Sequence, residues 1–247
     1  MATAIGRLHL ITDSRPGRNT LGVVTAAMRA AREAVDLGVG PLCVQVRVED
    51  EMTDRDAYEL SGRVAALCRD AGAVCLVNDR LHIALAVGAN GGHVGAEDLP
   101  VAAARGVLGP YAVVGATARE PDTAKRHVAD GATYLGVGPA YASPTKTSLP
   151  APIGPVGVAA VAGAVRVPVI AIGGVTPDRV AELTDAGAHG VAVIGAINSA
   201  PDPHTATLEF FRALAAHSSG DQGAVDATRR GDTQQSLDHR YDLGERS

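Results

Sequence analysis

The residues able to do chemistry fall in a few short stretches. In CVQVRVED, Cys43 to Asp50, Val44, Val46 and Val48 alternate with Gln45, Arg47 and Glu49, so on a strand the two sets face opposite sides. One side is apolar; the other offers an amide, a guanidinium and a carboxylate, either as wetted surface or as a polar row aimed into a site. Asn78 and Asp79 end the run AVCLVN, and HVGAEDLP supplies Glu97 and Asp98. Two carboxylates near an amide suit Mg2+, which keeps several waters and takes one or two protein carboxylates plus phosphate oxygens. Asp98 has a competing reading as a helix N-cap. In the proline-rich loop GPAYASPTKTSLPAP, Ser143, Thr145 and Lys146 bring two hydroxyls and an ammonium suited to phosphoryl oxygens. Gly173 and Gly174 in GGVTPDRV, and Gly195 in VIGAINS, set backbone amides beside helix starts; they read as a phosphate cradle or as close packing.

Only a scaffold that gathers distant strand ends can bring these groups together. Eight short β-branched or apolar runs, at 8–12, 42–48, 73–78, 91–95, 111–117, 133–138, 168–174 and 190–195, alternate with helical patterns. Among the helices are TLGVVTAAMRAAREAVDLG, closed by a glycine, and TPDRVAELTDAG, with Thr176 as N-cap, Pro177 at the first helical position and Gly187 past the end. Alternation of this kind implies a parallel sheet covered on both faces. Eight units predict an α/β fold of the (β/α)8 barrel type, for which about 250 residues is usual. A doubly wound sheet is the alternative, but no GxGxxG follows the first run. In a barrel the three valines pack beneath helices, and Gln45, Arg47 and Glu49 turn inward at the strand end where such barrels place their sites.

Composition narrows the function classes. Of 247 residues, aromatics make up 3%, too few for a base-stacking platform, and the net charge of −5 argues against nucleic acid. The start, MATAIGRLHLIT, has no secretory h-region, and the longest apolar stretch is broken by Arg166 and Pro168, so no membrane partner is expected. Cys43, Cys68 and Cys75 form no CxxC and read as buried free thiols, which points to the cytoplasm. His9, His82 and His93 lack ligand spacing and read as hydrogen-bonded core or mouth residues. After Ala216 the apolar period disappears, so residues 1–216 are expected to form the barrel and 217–247 a disordered tail. A homo-oligomer stays open.

The blocks LHLITDSR, QVRV, VNDRLHIALAVGANGGHVGAEDLP, GVGPAYASPTK and PVIAIGGVTPDRVAELTDAGAHGVAVIGAI, in this order, resemble the thiamine phosphate synthase family and its thiazole tautomerase branch over about residues 7–215. The resemblance implies a Mg2+-dependent transferase that joins 4-amino-2-methyl-5-(diphosphooxymethyl)pyrimidine to a thiazole phosphate, giving thiamine phosphate and pyrophosphate. It implies Asp79 and Asp98 as metal ligands, and Gln45, Arg47, Asn78 and Thr117 around the pyrimidine. Lys146 would lie on the diphosphate, with Arg47 and Lys146 as the catalytic cations, and Ser143, Thr145, Gly174, Ile194 and Gly195 on the thiazole phosphate. The tautomerase branch lacks the metal carboxylates and carries a histidine where this chain has Arg119, so the synthase branch is the better match. A tautomerase-like isomerase and an inactive precursor-binding barrel are the alternatives.

The chain departs from the family pattern at Glu49, where a basic residue is usual, and more mildly at Ala96, Ser143 and Gly195. Opposite unit charges about 4 Å apart attract by roughly 4 kcal/mol at an effective dielectric near 20, so a carboxylate in place of an ammonium is costly unless compensated. Glu49 would have to bind the metal, or Arg15 or Arg18 would have to supply the missing charge, or the substrate would have to differ.

Overall fold

The computed structural model describes residues 5–142 and 150–217. Eight parallel strands close into a barrel in chain order. They are β1 Leu8–Ile11, β2 Cys43–Val46, β3 Val74–Asn78, β4 Gly91–Val94, β5 Val113–Ala118, β6 Tyr134–Val137, β7 Val169–Ile172 and β8 Gly190–Val193. Around them run α1 Thr20–Glu33, α2 Asp54–Ala71, α3 Leu81–Ala86, α4 Val101–Leu108, α5 Pro121–Ala129, α6 Gly154–Ala162, α7 Val180–Asp185, α8 Gly195–Asn198 and α9 Pro203–Ala216. The expected (β/α)8 barrel is realised strand for strand.

Strand alternation divides the core in two. Leu8, Leu10, Val44 and Val46 face outward and meet helix side chains such as Val24, Phe210 and Phe211. Ile11, Cys43, Val74, Leu76, Val113, Tyr134, Ile170 and Ala192 fill the barrel interior. Gln45 shares the parity of Cys43 and is buried with it, so the polar face of CVQVRVED does turn inward. The three cysteines are buried and free.

Element ends differ from the sequence reading by one to three residues in most places, and two of the differences have a visible cause. β2 stops at Val46 rather than 48, because the Thr12 hydroxyl takes the Arg47 N–H at 2.9 Å and donates to the Arg47 carbonyl at 3.0 Å, which ends the ladder with β1. α1 stops at Glu33, and the chain continues as a 3-10 turn over Val35–Leu37 closed by Gly38 in the left-handed region. Thr176 does precede Pro177, but it stands at the head of a 3-10 turn that leads into α7, and its side chain makes no capping hydrogen bond.

Where β8 meets β1, Asn198 Nδ2 donates to the carbonyls of Ile11 at 2.9 Å and Ile194 at 2.8 Å, and its Oδ1 accepts the Asp13 N–H. At the opposite end of these strands Arg7 donates Nε to the His189 carbonyl and Nη1 to the Leu214 carbonyl of α9, at 2.8 and 2.9 Å. Among the described residues no helix is long and apolar enough to cross a membrane. The tail expected over 217–247 lies, apart from His217, outside the described residues.

Two buried imidazoles make stability acid-sensitive. Burial pushes His9 down to about 3 and His93 down to about 4. Their folded values lie below the unfolded one, so the stability they contribute is present above pH ~6.5 and is lost as pH falls through the folded values. A tenfold weakening of proton affinity on folding corresponds to about 1.4 kcal/mol. Urea unfolding should therefore show a steep loss of stability between about pH 6.5 and 4. His9→Gln should flatten that slope by about one proton; an unchanged slope would refute the assignment.

Candidate active site

The mouth of the barrel is formed by the loops that follow the C-terminal strand ends, and backbone geometry fixes its main carboxylate. Asp79, just past β3, is the only non-glycine residue at positive φ among the described residues, at φ 60°. Aspartate tolerates this conformation better than most residues, and such strain clusters at functional sites. Its N–H is held by the His93 carbonyl at 2.9 Å, and its own carbonyl accepts the Leu81 N–H at 2.9 Å. The Asp79 side chain is thereby turned toward the loop after β4, where Asp98 waits. Asp98 is not the helix cap: Pro100 precedes α4, and Asp98 Oδ2 instead accepts the Gly95 N–H at 2.6 Å.

The two carboxyl groups meet. The protein packed around Asp79, then its hydrogen bond with Asp98 and the charge of Asp98, push the Asp79 carboxyl up to about 7, while Arg47 pulls it down. Two carboxylates this close resist ionising together unless a cation or a shared proton joins them. No cluster of three or more His, Cys, Asp or Glu suited to a metal occurs among the described residues. A cation here would draw its other ligands from water and from a ligand's phosphate oxygens, which suits Mg2+ better than a metal that needs a full protein cage. Asn78 stands at the end of β3 beside this pair.

On the β1 and β2 side the charges are paired. Glu49 lies 3.8 Å from Arg47, both about one-third exposed. Asp13, 3% exposed, takes a forked pair of bonds from Arg15 at 2.8 and 2.6 Å and a third contact from Arg18 at 3.1 Å. The Arg15 hydrogen bonds hold the Asp13 carboxyl below its usual range. The charge of Glu49 also acts on Arg15. Glu49 is thus paired with Arg47, and its charge is also felt by Arg15, which is itself held on Asp13. Asn19 and Thr53 cap α1 and α2 and so end the two loops that carry these charges.

Beneath the mouth lies a buried polar cluster. Gln45 Nε2 donates to the Tyr134 hydroxyl at 3.4 Å, His93 Nδ1 meets the same hydroxyl at 2.9 Å, and His93 Nε2 meets Thr117 Oγ1 at 3.0 Å. His9 and His93 are core and mouth residues as expected, whereas His82 is exposed and pairs with Asp54.

On the far side of the mouth, Gly173 and Gly174 follow β7 at φ 96° and 63°. A Cβ on Gly174 would lie 2.5 Å from the Ala142 carbonyl, so only glycine lets this turn approach the strand-six loop. Arg179 Nη1 donates to the Gly174 carbonyl at 2.6 Å while its guanidinium lies 4.3 Å over the Tyr141 ring. Ile194 precedes the short α8, which begins at Gly195, and its carbonyl accepts the Ile197 and Asn198 N–H groups at 3.3 and 3.0 Å. The expected Ser143, Thr145 and Lys146 lie outside the described residues. Arg119, at the position that carries the tautomerase histidine, donates Nη2 to the Ala151 carbonyl at 2.7 Å.

Sequence reading passed over four residues. Arg80 Nη1 binds Asp54 at 3.0 Å and its Nη2 binds the Glu49 and Asp50 carbonyls at 3.2 and 3.3 Å, which ties the β2 loop to β3. Asn198, Arg179 and Tyr134 were equally hidden, because each acts on backbone or on a partner far away in the chain. Only the position of Arg80 directly after Asp79 gave any signal.

Fold and mouth together define a barrel enzyme of the (β/α)8 class, with paired carboxylates and arginines on one side of the opening and glycine turns on the other. The family model described as thiamine monophosphate synthase matches residues 8–197, and the chain belongs to that family. It is 61% identical over 212 residues to the thiamine-phosphate synthase of Salinispora arenicola, covering 86% of this chain and 99% of the relative. Identity to the thiamine-phosphate synthase of Haloquadratum walsbyi is 45% over 206 residues, covering 82% and 88%. A solved thiamine phosphate pyrophosphorylase from Pyrococcus furiosus superimposes with TM-score 0.73 at 30% identity, covering 84% of this chain and 95% of that one.

Proposed function

We propose that the chain is a Mg2+-dependent thiamine-phosphate synthase of the cytoplasm. It joins the pyrimidinylmethyl diphosphate to the thiazole phosphate, breaking the C–O bond to the diphosphate, forming the C–N bond to the thiazole and releasing pyrophosphate. The observation that carries this reading is the Asp79–Asp98 pair, held by a left-handed backbone across from Arg47.

Asp79 and Asp98 would hold Mg2+, which when bound neutralises charge building on the diphosphate. Departure of the diphosphate with the C–O electron pair leaves a pyrimidinylmethyl cation that the aminopyrimidine ring itself stabilises. The protein's work is therefore to offset leaving-group charge and to align the thiazole nitrogen. Arg47 would take the first task, with Lys146 as its expected companion. Gln45, Asn78 and Thr117 would hold the pyrimidine. Gly174, Ile194 and Gly195 offer backbone to the thiazole phosphate, with Ser143 and Thr145 expected to add hydroxyls. The engagement of Arg119 with the Ala151 carbonyl favours this branch over the tautomerase, since a guanidinium fixed in this way offers no base.

Incubation of the purified protein with both substrates and Mg2+ should yield thiamine phosphate, and EDTA should stop it. Tight ligand binding without product would point to a precursor-binding barrel, and metal-independent isomerisation of the thiazole to a tautomerase.

A further inference from the structure

The buried cluster under the mouth has a polarity that its donors and acceptors dictate. A tyrosine hydroxyl carries one hydrogen and accepts through its oxygen. The Gln45 amide donates to Tyr134, so the Tyr134 hydrogen must go to the other partner, His93 Nδ1. That nitrogen is then the acceptor of a neutral imidazole, and Nε2 carries the hydrogen and donates it to Thr117 Oγ1. Thr117 accepts from behind, which leaves its own hydrogen to point elsewhere. At the other end Gln45 has spent Nε2 on Tyr134 and keeps Oε1 as an unspent acceptor.

This cluster is built rather than incidental. A Cβ on Gly115 would lie 2.2 Å from the Tyr134 ring, and one on Gly136 would lie 3.1 Å from His93. Two inward-facing glycines thus make room for the phenol and the imidazole. Tyr134 is 1% exposed and His93 8%.

We propose that Tyr134 and His93 are positioning residues that fix Thr117 as a hydrogen-bond donor and Gln45 as an acceptor, so that the mouth reads the ring nitrogen and exocyclic amino group of an aminopyrimidine. This rests on the synthase reading for the identity of the ligand. Tyr134 touches no substrate; it sets which way two substrate-facing groups are turned. Removal of its hydroxyl frees the His93 tautomer and the Gln45 amide to flip, and both groups then present the wrong partner to the pyrimidine.

The first test is the tautomer of His93 in the ligand-free full chain, read from imidazole 15N shifts. The wild type should show the Nε2–H form, and Tyr134→Phe, which keeps the ring over Gly115, a mixture. A wild-type Nδ1–H form would overturn the proposal whatever the enzyme does. The second test is kinetic. Loss of one or two well-made hydrogen bonds corresponds to about 3- to 30-fold. Tyr134→Phe should raise KM for the pyrimidine diphosphate by about that factor and leave KM for the thiazole phosphate unchanged. Thr117→Val should behave like Tyr134→Phe, and Thr117→Ser, which keeps the hydroxyl, should recover most of what Thr117→Val loses. An equal change in both KM values, or none, would overturn the proposal and leave the synthase reading standing. A wild-type chain that forms no product would overturn the synthase reading, and with it the proposed ligand, even if the tautomer is as expected.

Discussion

Asp79→Asn should abolish most product formation, with a loss of about 10²- to 10³-fold, the range seen when one preorganised electrostatic group is removed from a reacting centre. Asparagine shares the tolerance of aspartate for the left-handed backbone found here, so the turn at the end of β3 should survive. The stability of the metal-free protein should move the other way. The Asp79 carboxyl is raised, so the stability it contributes is complete below the ordinary aspartate value and falls away as pH rises through about 7. Asp79→Asn has nothing to lose there, and without metal at pH 8 its Tm should equal or exceed that of the wild type. Mg2+ should raise the Tm of the wild type and leave the variant unmoved, because only a state that binds the ion is stabilised by it. Full activity in the variant, or an equal Mg2+ response, would remove Asp79 from the metal site.

The second large effect concerns Arg47. Arg47→Met keeps most of the aliphatic length and removes the guanidinium, which faces Glu49 on one side and influences Asp79 on the other. The loss of an attraction for the diphosphate should cost about 10²-fold in kcat/KM, roughly 3 kcal/mol after allowance for partial exposure. Part of that loss is indirect, since Glu49 would be left facing an anionic substrate without its Arg47 partner. The pair Arg47→Met and Glu49→Gln should therefore recover about tenfold over Arg47→Met alone, while Glu49→Gln in the wild-type background changes the rate by a smaller factor. Kinetics of the four proteins form a double-mutant cycle. Strict additivity would show that Glu49 does not act through Arg47.

These residues also show what a linear chain discloses. Period-two alternation revealed the inward turn of Gln45, because strand geometry leaves only two faces. The pairing of Asp79 with Asp98 could be anticipated from neighbouring strand ends alone, since a barrel brings every C-terminal strand end to one mouth. The end of β2 at Val46 could not, for it depends on the Thr12 hydroxyl, which lies 35 residues from Arg47 in sequence. Tyr134 was hidden for a related reason: its hydrogen-bond partners belong to two other strands, β2 and β4, and a tyrosine at the start of a strand reads as ordinary packing. The compensation of Glu49 was legible only as a need. Its pairing with Arg47, and the forked grip of Asp13 on Arg15, emerge only in the folded chain.

The clasp between Arg7 and the end of α9 carries a consequence for how the enzyme can be handled. Arg7 precedes β1 and Leu214 lies in the last turn of α9, so their bond fixes both on the face away from the opening. A passenger domain or a surface linker joined beyond either point would hang from the floor of the barrel. Substrates would still arrive from the free side, which makes immobilisation through either end compatible with turnover.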